Sequence, residues 1–207
     1  MSASEDPPLQ LVPGRECGPC TVCCVALTIE EPTLRKVQGY RCPHLLKQGG
    51  CGIYETRPPT CSAYFCGWRR LKWVREGLRP DLSGVLVQLR GVESGKDGRR
   101  QMGVSFTFRN RAALKAEGLA ESIAAAINAE VPVFVIVPGP PGFTAAIARV
   151  NAELLDSVRA HDKKGLLRRL TEVYGQGVRG ERRRIIAAGD GKIGPEPTPP
   201  SGSPGGE

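Results

Sequence analysis

Eight cysteines lie between Cys17 and Cys66, and none falls outside that interval. They run Cys17-Gly18-Pro19-Cys20-Thr21-Val22-Cys23-Cys24, followed by Cys42, Cys51, Cys61 and Cys66. Thiolates are soft ligands for zinc, iron and iron–sulfur clusters, and two-residue gaps let successive sulfurs turn back on one centre while loop N–H groups donate to them. Gly18 and Pro19 suit such a turn. Cys23 and Cys24 are the odd pair. In extended backbone, adjacent side chains point to opposite sides, so these two are expected to reach different centres, unless one bridges two sites or stays outside coordination.

The kind of metal follows from the spacing. Downstream of Cys24 the cysteines are separated by eight, nine and four residues, with no second C-x2-C knuckle of the kind a zinc ribbon carries. The triplet C-x2-C-x2-C with a distant Cys42-Pro43 is closer to the opening of a bacterial ferredoxin run, although that run ends in x3-C-P and this one in an adjacent cysteine. The expected cofactor is therefore an iron–sulfur cluster of the 4Fe-4S type, with Zn2+ as the alternative and all eight cysteines as ligands. Structural disulfides are the competing reading of so many cysteines. They are disfavoured in the reducing cytoplasm, the compartment expected from a start, Met1-Ser-Ala-Ser-Glu-Asp-Pro-Pro, without a basic and apolar leader. His44 is read as a neighbour of the site rather than a ligand.

Cys51-Gly52-Ile53-Tyr54-Glu55-Thr56-Arg57-Pro58-Pro59-Thr60-Cys61 adds a setting for the centre. Gly52 permits a sharp turn, Ile53 or Tyr54 can cover the site, and the Arg57 guanidinium can donate charge-assisted hydrogen bonds to thiolate or sulfide. Arg57 is accordingly the expected cofactor-contacting residue, with a surface ion pair as its plainer role. Tyr54 reads as packing, since no proton-transfer partner is identifiable from spacing.

Taken together, C-x2-C-x2-C-C, then Cys42-Pro43-x-Leu45, then Cys51-x-Ile53-Tyr54-x-x-Arg57-Pro58-x-x-Cys61, this segment resembles the YkgJ-type cysteine-cluster family, the CxxCxxCC zinc- or iron-chelating domain. The resemblance covers about residues 15 to 70. It implies a small cysteine-rich domain that chelates zinc or iron, with no reaction attached. A similar cluster accompanies flagellin lysine N-methylases, but no methyl-donor site is visible in this chain, and methylation is not carried over.

These residues need a scaffold. The chain has 207 residues, 40% apolar and 24% charged, which suits a soluble protein with a core and excludes wholesale disorder. No apolar run is long enough to span a membrane; the longest, Val131 to Val137, is interrupted by Pro132. The formal charge of +8 fits contact with polyanions, and part of it can offset buried thiolate charge. The cysteine segment is poor in aliphatic side chains, so a bound metal is its expected source of stability. Its aromatics, Tyr40, Tyr54, Tyr64, Phe65, Trp68 and Trp73, read as a small core.

We expect an N-terminal tail over 1–14, a metal-stabilised cysteine domain over 15–75, a linker over 76–84, an α/β unit over 84–187 and a disordered Pro/Gly-rich tail over 188–207. Val85 to Arg90 is β-prone, and Met102, Val104, Phe106 and Phe108 alternate, which predicts a hairpin across the loop from Gly95 to Gly98. Leu119, Ile123, Ala126 and Ile127 repeat at helical spacing, Val131 to Val137 reads as a strand, and Phe143, Ile147, Val150, Leu154 and Val158 form one helical stripe. Asp162 is the N-cap of a shorter helix carrying Leu166, Leu167, Leu170 and Val173. The class is α+β, a cysteine-rich module followed by a β-β-α-β-α unit.

Other chemistry is thin. Trp68-Arg69-Arg70-Leu71-Lys72-Trp73-Val74-Arg75 mixes charge with indoles and could bind single-stranded nucleic acid, or else serve as an amphipathic connector with the indoles buried. Arg182-Arg183-Arg184 reads as a basic helix end. Gly175-Gln-Gly177-Val-Arg-Gly180 spells GxGxxG without the strand a dinucleotide site needs, and Gly139-Pro140-Pro141-Gly142 lacks the N–H donors of a phosphate cradle. No Ser-His-Asp set, HExxH or carboxylate pair stands out. The leading expectation is a metal-binding protein with a redox or electron-transfer role and a redox partner. A zinc-stabilised nucleic-acid or protein-interaction module is the alternative, and an enzyme with a groove between the domains is a third reading with no catalytic residue to name.

Overall fold

Val104, Phe106 and Phe108 alternate along one strand, and all three are fully buried, so one face of a sheet is committed to the interior. The structure, a computed structural model, describes residues 10–94 and 99–185. The cysteine segment comes first. It contains a single helical turn α1 (Cys23–Ala26), a short hairpin of β1 (Ile29–Glu31) and β2 (Leu34–Lys36), long loops, and the turn α2 (Pro59–Ala63). A connector follows with α3 (Gly67–Arg70), a 3-10 turn over Glu76–Leu78 and α4 (Pro80–Ser83). The rest is β3 (Val85–Ser94), β4 (Arg99–Phe108), α5 (Leu119–Asn128), β5 (Val133–Val137), β6 (Ala146–Arg149), α6 (Asn151–Arg159) and α7 (Lys163–Arg179).

The main sheet has the order β3-β4-β5-β6. β3 and β4 form an antiparallel hairpin from Val85↔Phe108 to Ser94↔Arg99, and β5 and β6 are also antiparallel. β4 and β5 run parallel, which a tight turn cannot achieve; α5 supplies the crossover. Register places Val87, Phe106 and Val135 side by side, and this face joins Ile123 of α5, Leu154 of α6 and Leu170 of α7 in one core. Asp162 caps α7 by accepting from the Gly165 N–H at 2.8 Å, and Asn151, the first residue of α6, ties that helix to β5 by accepting from the Val133 N–H and donating to the Val131 carbonyl, both at 2.8 Å.

The α+β class holds, with four revisions. The second unit is β-β-α-β-β-α-α rather than β-β-α-β-α, because the start of the expected stripe is a strand. Over Ala146–Arg149, burial alternates and Ile147 is exposed, so a period of two overrides the helical spacing that Phe143 and Ile147 share with Val150. The Asp162-capped helix is the longer of the final pair, at 17 residues against 9. The stretch read as a linker over 76–84 is folded onto the main core, with Leu78 fully buried beside Trp68 and Val74. Met102 is exposed although it alternates with Val104; it pairs with Gly91, near the hairpin end of the strand. The tail over 188–207, the Gly95–Gly98 loop and most of 1–14 lie outside the described residues.

The cysteine segment is tied to this body at several points. Gly67 lies so near β3 that a Cβ there would meet Val87 Cγ1 at 2.6 Å. The buried Arg15 guanidinium donates to the carbonyls of Trp68 (2.6 Å), Leu71 (3.3 Å) and Val74 (2.8 Å) and to Glu76 Oε2 (3.1 Å). Gln38 donates from Nε2 to the Phe143 carbonyl at 2.8 Å. Among the described residues no helix is long and apolar enough to cross a membrane.

Candidate metal centre

Local turns bring the cysteines inward. Gly18 adopts φ +49°, a left-handed conformation that costs glycine little, and the Cys20 N–H closes on the Cys17 carbonyl at 2.9 Å. Cys23 and Cys24 begin α1, so their side chains diverge by about 100° around a helix axis rather than alternating as extended residues would. The Cys42 N–H donates to the Cys24 carbonyl at 3.1 Å, and Leu45 bridges Cys51 in antiparallel fashion. The sharp turn of that loop is at Gly49 and Gly50, φ +92° and +83°, ahead of Cys51. Gly52, the expected pivot, has no such φ and instead donates its N–H to the His44 carbonyl at 2.8 Å.

All eight cysteines are free thiols. Seven of them, all but Cys66, line one cavity of about 110 Å³ whose other walls include Leu27, Ile29, Leu34, Ile53 and Pro58. A partly open, thiol-lined hollow of this kind could hold a ligand. The donor set fits soft-metal chemistry in kind and number. In spacing it is more open: among the described residues no three Cys, His, Asp or Glu side chains form a group closed on one ion. Four thiolates on one zinc stand roughly 4 Å apart, whereas those of a cluster each bind a different iron and spread wider.

Electrostatics divide the thiols. Burial pushes Cys20 up to about 11, and the charges of Asp81 and Cys66 add to it. Burial also raises Cys66, with Cys17 as its thiol neighbour. Cys42 and Cys61 are raised by burial, and their thiol neighbours are Cys24 and Cys51, with Cys42 also acting on Cys61. Cys23 and Cys24 act on each other. A hydrogen bond from Cys23 favours the Cys24 thiolate and holds Cys23 protonated. Backbone N–H groups oppose burial by pointing at sulfur: Val22 toward Cys20, His44 toward Cys42, Arg69 and Trp68 toward Cys66. Amide donors aimed at sulfurs that burial keeps neutral suit a cation arriving to hold the thiolates.

Three basic groups surround the thiols, and the sequence pointed to one as a cofactor contact. Arg57 lines the cavity, stacks 3.9 Å over the Tyr54 ring and lowers Cys24 and Cys61 through its charge. Lys36 is buried and its ammonium donates to the carbonyls of Val25 and Leu27. Burial lowers its pKa against the pull of Cys42, Cys24, Cys23 and Cys61. Arg69 donates from Nη1 to Cys17 Sγ at 3.6 Å and lies over Phe65. A lysine in the polar-looking Leu34-Arg-Lys36 strand gave no sign of burial, and Arg69 read as part of a surface stripe. His44 lines the cavity, and its backbone faces Cys42.

Tyr64 also lines the cavity, and its buried hydroxyl has no hydrogen-bond partner among the described residues. Burial raises its pKa, and the charges of Cys66, Cys23 and Cys17 act in the same direction.

The Trp68–Arg75 stripe has the connector geometry. Trp68 is buried, donates its indole N–H to the Glu76 carbonyl at 3.0 Å and lies under Arg15, so it is not exposed for base stacking. Trp73 packs partly against the same core. The GxGxxG string falls in the last turns of α7 and the start of its exit, with no strand leading in. Comparison with family models, curated proteins and solved structures finds no match to this chain.

Proposed function

We propose that this chain is a thiolate metal-binding protein whose cysteine segment holds iron–sulfur, in a module of the kind the YkgJ-type resemblance implies, and that its role is electron transfer to a redox partner. The observation that carries the reading is seven unpaired cysteines on one cavity. Bound there, such a group would supply one-electron exchange. The chain's own residues would do the rest. The cysteines would anchor it as thiolates, Lys36, Arg57 and Arg69 would offset their negative charge, and Ile29, Leu34 and Ile53 would keep water from the sulfurs.

The test is anaerobic purification followed by metal and acid-labile sulfide analysis. Iron with matching sulfide is the expected result. Zinc without sulfide would replace the cluster with a structural zinc centre, and protein with neither that keeps its native shape would overturn the reading.

A further inference from the structure

We infer that the eight cysteines form two separate four-thiol centres, Cys17, Cys20, Cys23 and Cys66 holding one and Cys24, Cys42, Cys51 and Cys61 the other, with the Cys23–Cys24 peptide as their boundary. This rests on the proposed metal binding and specifies its ligand sets.

The two sets belong to different parts of the fold. Cys66 packs against the large sheet–helix core, at the head of the connector that Arg15 clamps. Cys17 is joined to that connector by Arg69, and Gly18 lies against Arg79. Cys24, Cys42 and Cys61 instead pack together with Ile29, Leu34 and Leu45 in the small core of the cysteine segment, and Cys51 is held to Leu45 by its bridge. α1 sits between, and its first two residues project about 100° apart, which lets one turn of backbone serve both sides.

The charges follow the same division. Arg69 donates to Cys17 in the first set, and Lys36, opposite Ile29 across the short hairpin, sits at the small core that holds the second. Four thiolates around a dipositive core leave net negative charge, which a nearby cation offsets at each centre.

The experiment uses the full chain, purified anaerobically. Iron, sulfide and native mass would be measured for the unaltered protein and for two double variants, Cys17→Ser with Cys66→Ser and Cys51→Ser with Cys61→Ser. Thiol alkylation is mapped before and after stripping the metal. The unaltered chain is expected to carry two cluster equivalents, and each double variant half the iron and sulfide. In the Cys51/Cys61 variant, Cys24 and Cys42 should become alkylated while Cys17, Cys20, Cys23 and Cys66 stay protected, with the reverse pattern in the other variant. One cluster equivalent in the unaltered chain would overturn the partition whether or not the variants fold. So would loss of protection at Cys17 or Cys66 together with Cys24 when the sheet–helix unit remains folded. An unaltered chain without metal would overturn the underlying function instead.

Discussion

The cysteine segment and the sheet–helix unit differ in how much apolar packing holds them. Among the described residues the sheet–helix core gathers twenty-three buried side chains, from Trp68 through Leu170, whereas the core of the cysteine segment has three, Ile29, Leu34 and Cys42. Apolar burial contributes about 25 cal/mol per Å², so the first can fold on its own packing. The second consists mostly of loops whose backbone ordering so few buried residues, Val22 beside that core included, do not offset. What it has instead is thiols, and the account assigns to their bound group the organising role that Phe106 and its neighbours have elsewhere.

The hardest blow to this contrast would fall on the sheet. Phe106→Ala removes a fully buried ring and is expected to cost about 3–5 kcal/mol, read as a lowered urea midpoint of the anaerobic protein. A loss below about 1 kcal/mol would mean that the large core is not what holds this unit. At the seam, Arg15→Ala strands three carbonyls of the connector and is expected to cost about 3 kcal/mol, with fluorescence of Trp68 reporting its exposure. If the midpoint were unmoved, the clamp between the two regions would be ornamental. Asp162→Ala removes the N-cap of α7 and should cost about 1 kcal/mol, seen in the same transition, without changing iron or sulfide content. Arg57→Ala should move the urea midpoint by less than about 0.5 kcal/mol, since its side chain serves the thiols rather than the core. A larger shift would make Arg57 scaffold.

The same contrast explains what the sequence made legible. Strand alternation at Val104, Phe106 and Phe108, the helical repeat at Leu119, Ile123 and Ala126, and the cap at Asp162 are local patterns, and each marks an element where it stands. Ile147 and Val150 satisfy helical spacing by coincidence, and only pairing with β5 shows that the chain is still extended at Ile147. Trp68 read as buried, but in a core of the segment's own aromatics; it and Leu78, which read as linker, join the large core because what buries them is distant in sequence. Of the site, cysteine spacing gave the donors and Arg57 the cation. The basic groups beside Trp68 could be read as solvated or as balancing the thiols, and Arg69 does reach Cys17; Lys36 was not legible as part of the site, since its burial on the Val25 and Leu27 carbonyls depends on how loops close. The divergence of Cys23 and Cys24 was anticipated on extended geometry, and a helical turn provides it instead.

The most direct test of the central claim is hydrogen exchange on the full anaerobic chain before and after the metal is stripped. The account predicts that peptides within 17–66 lose their protection on stripping while those of 85–94, 99–137 and 146–179 keep theirs. Equal protection of 17–66 in both states would contradict it, because the cysteine segment would then be holding its shape without anything bound to its sulfurs.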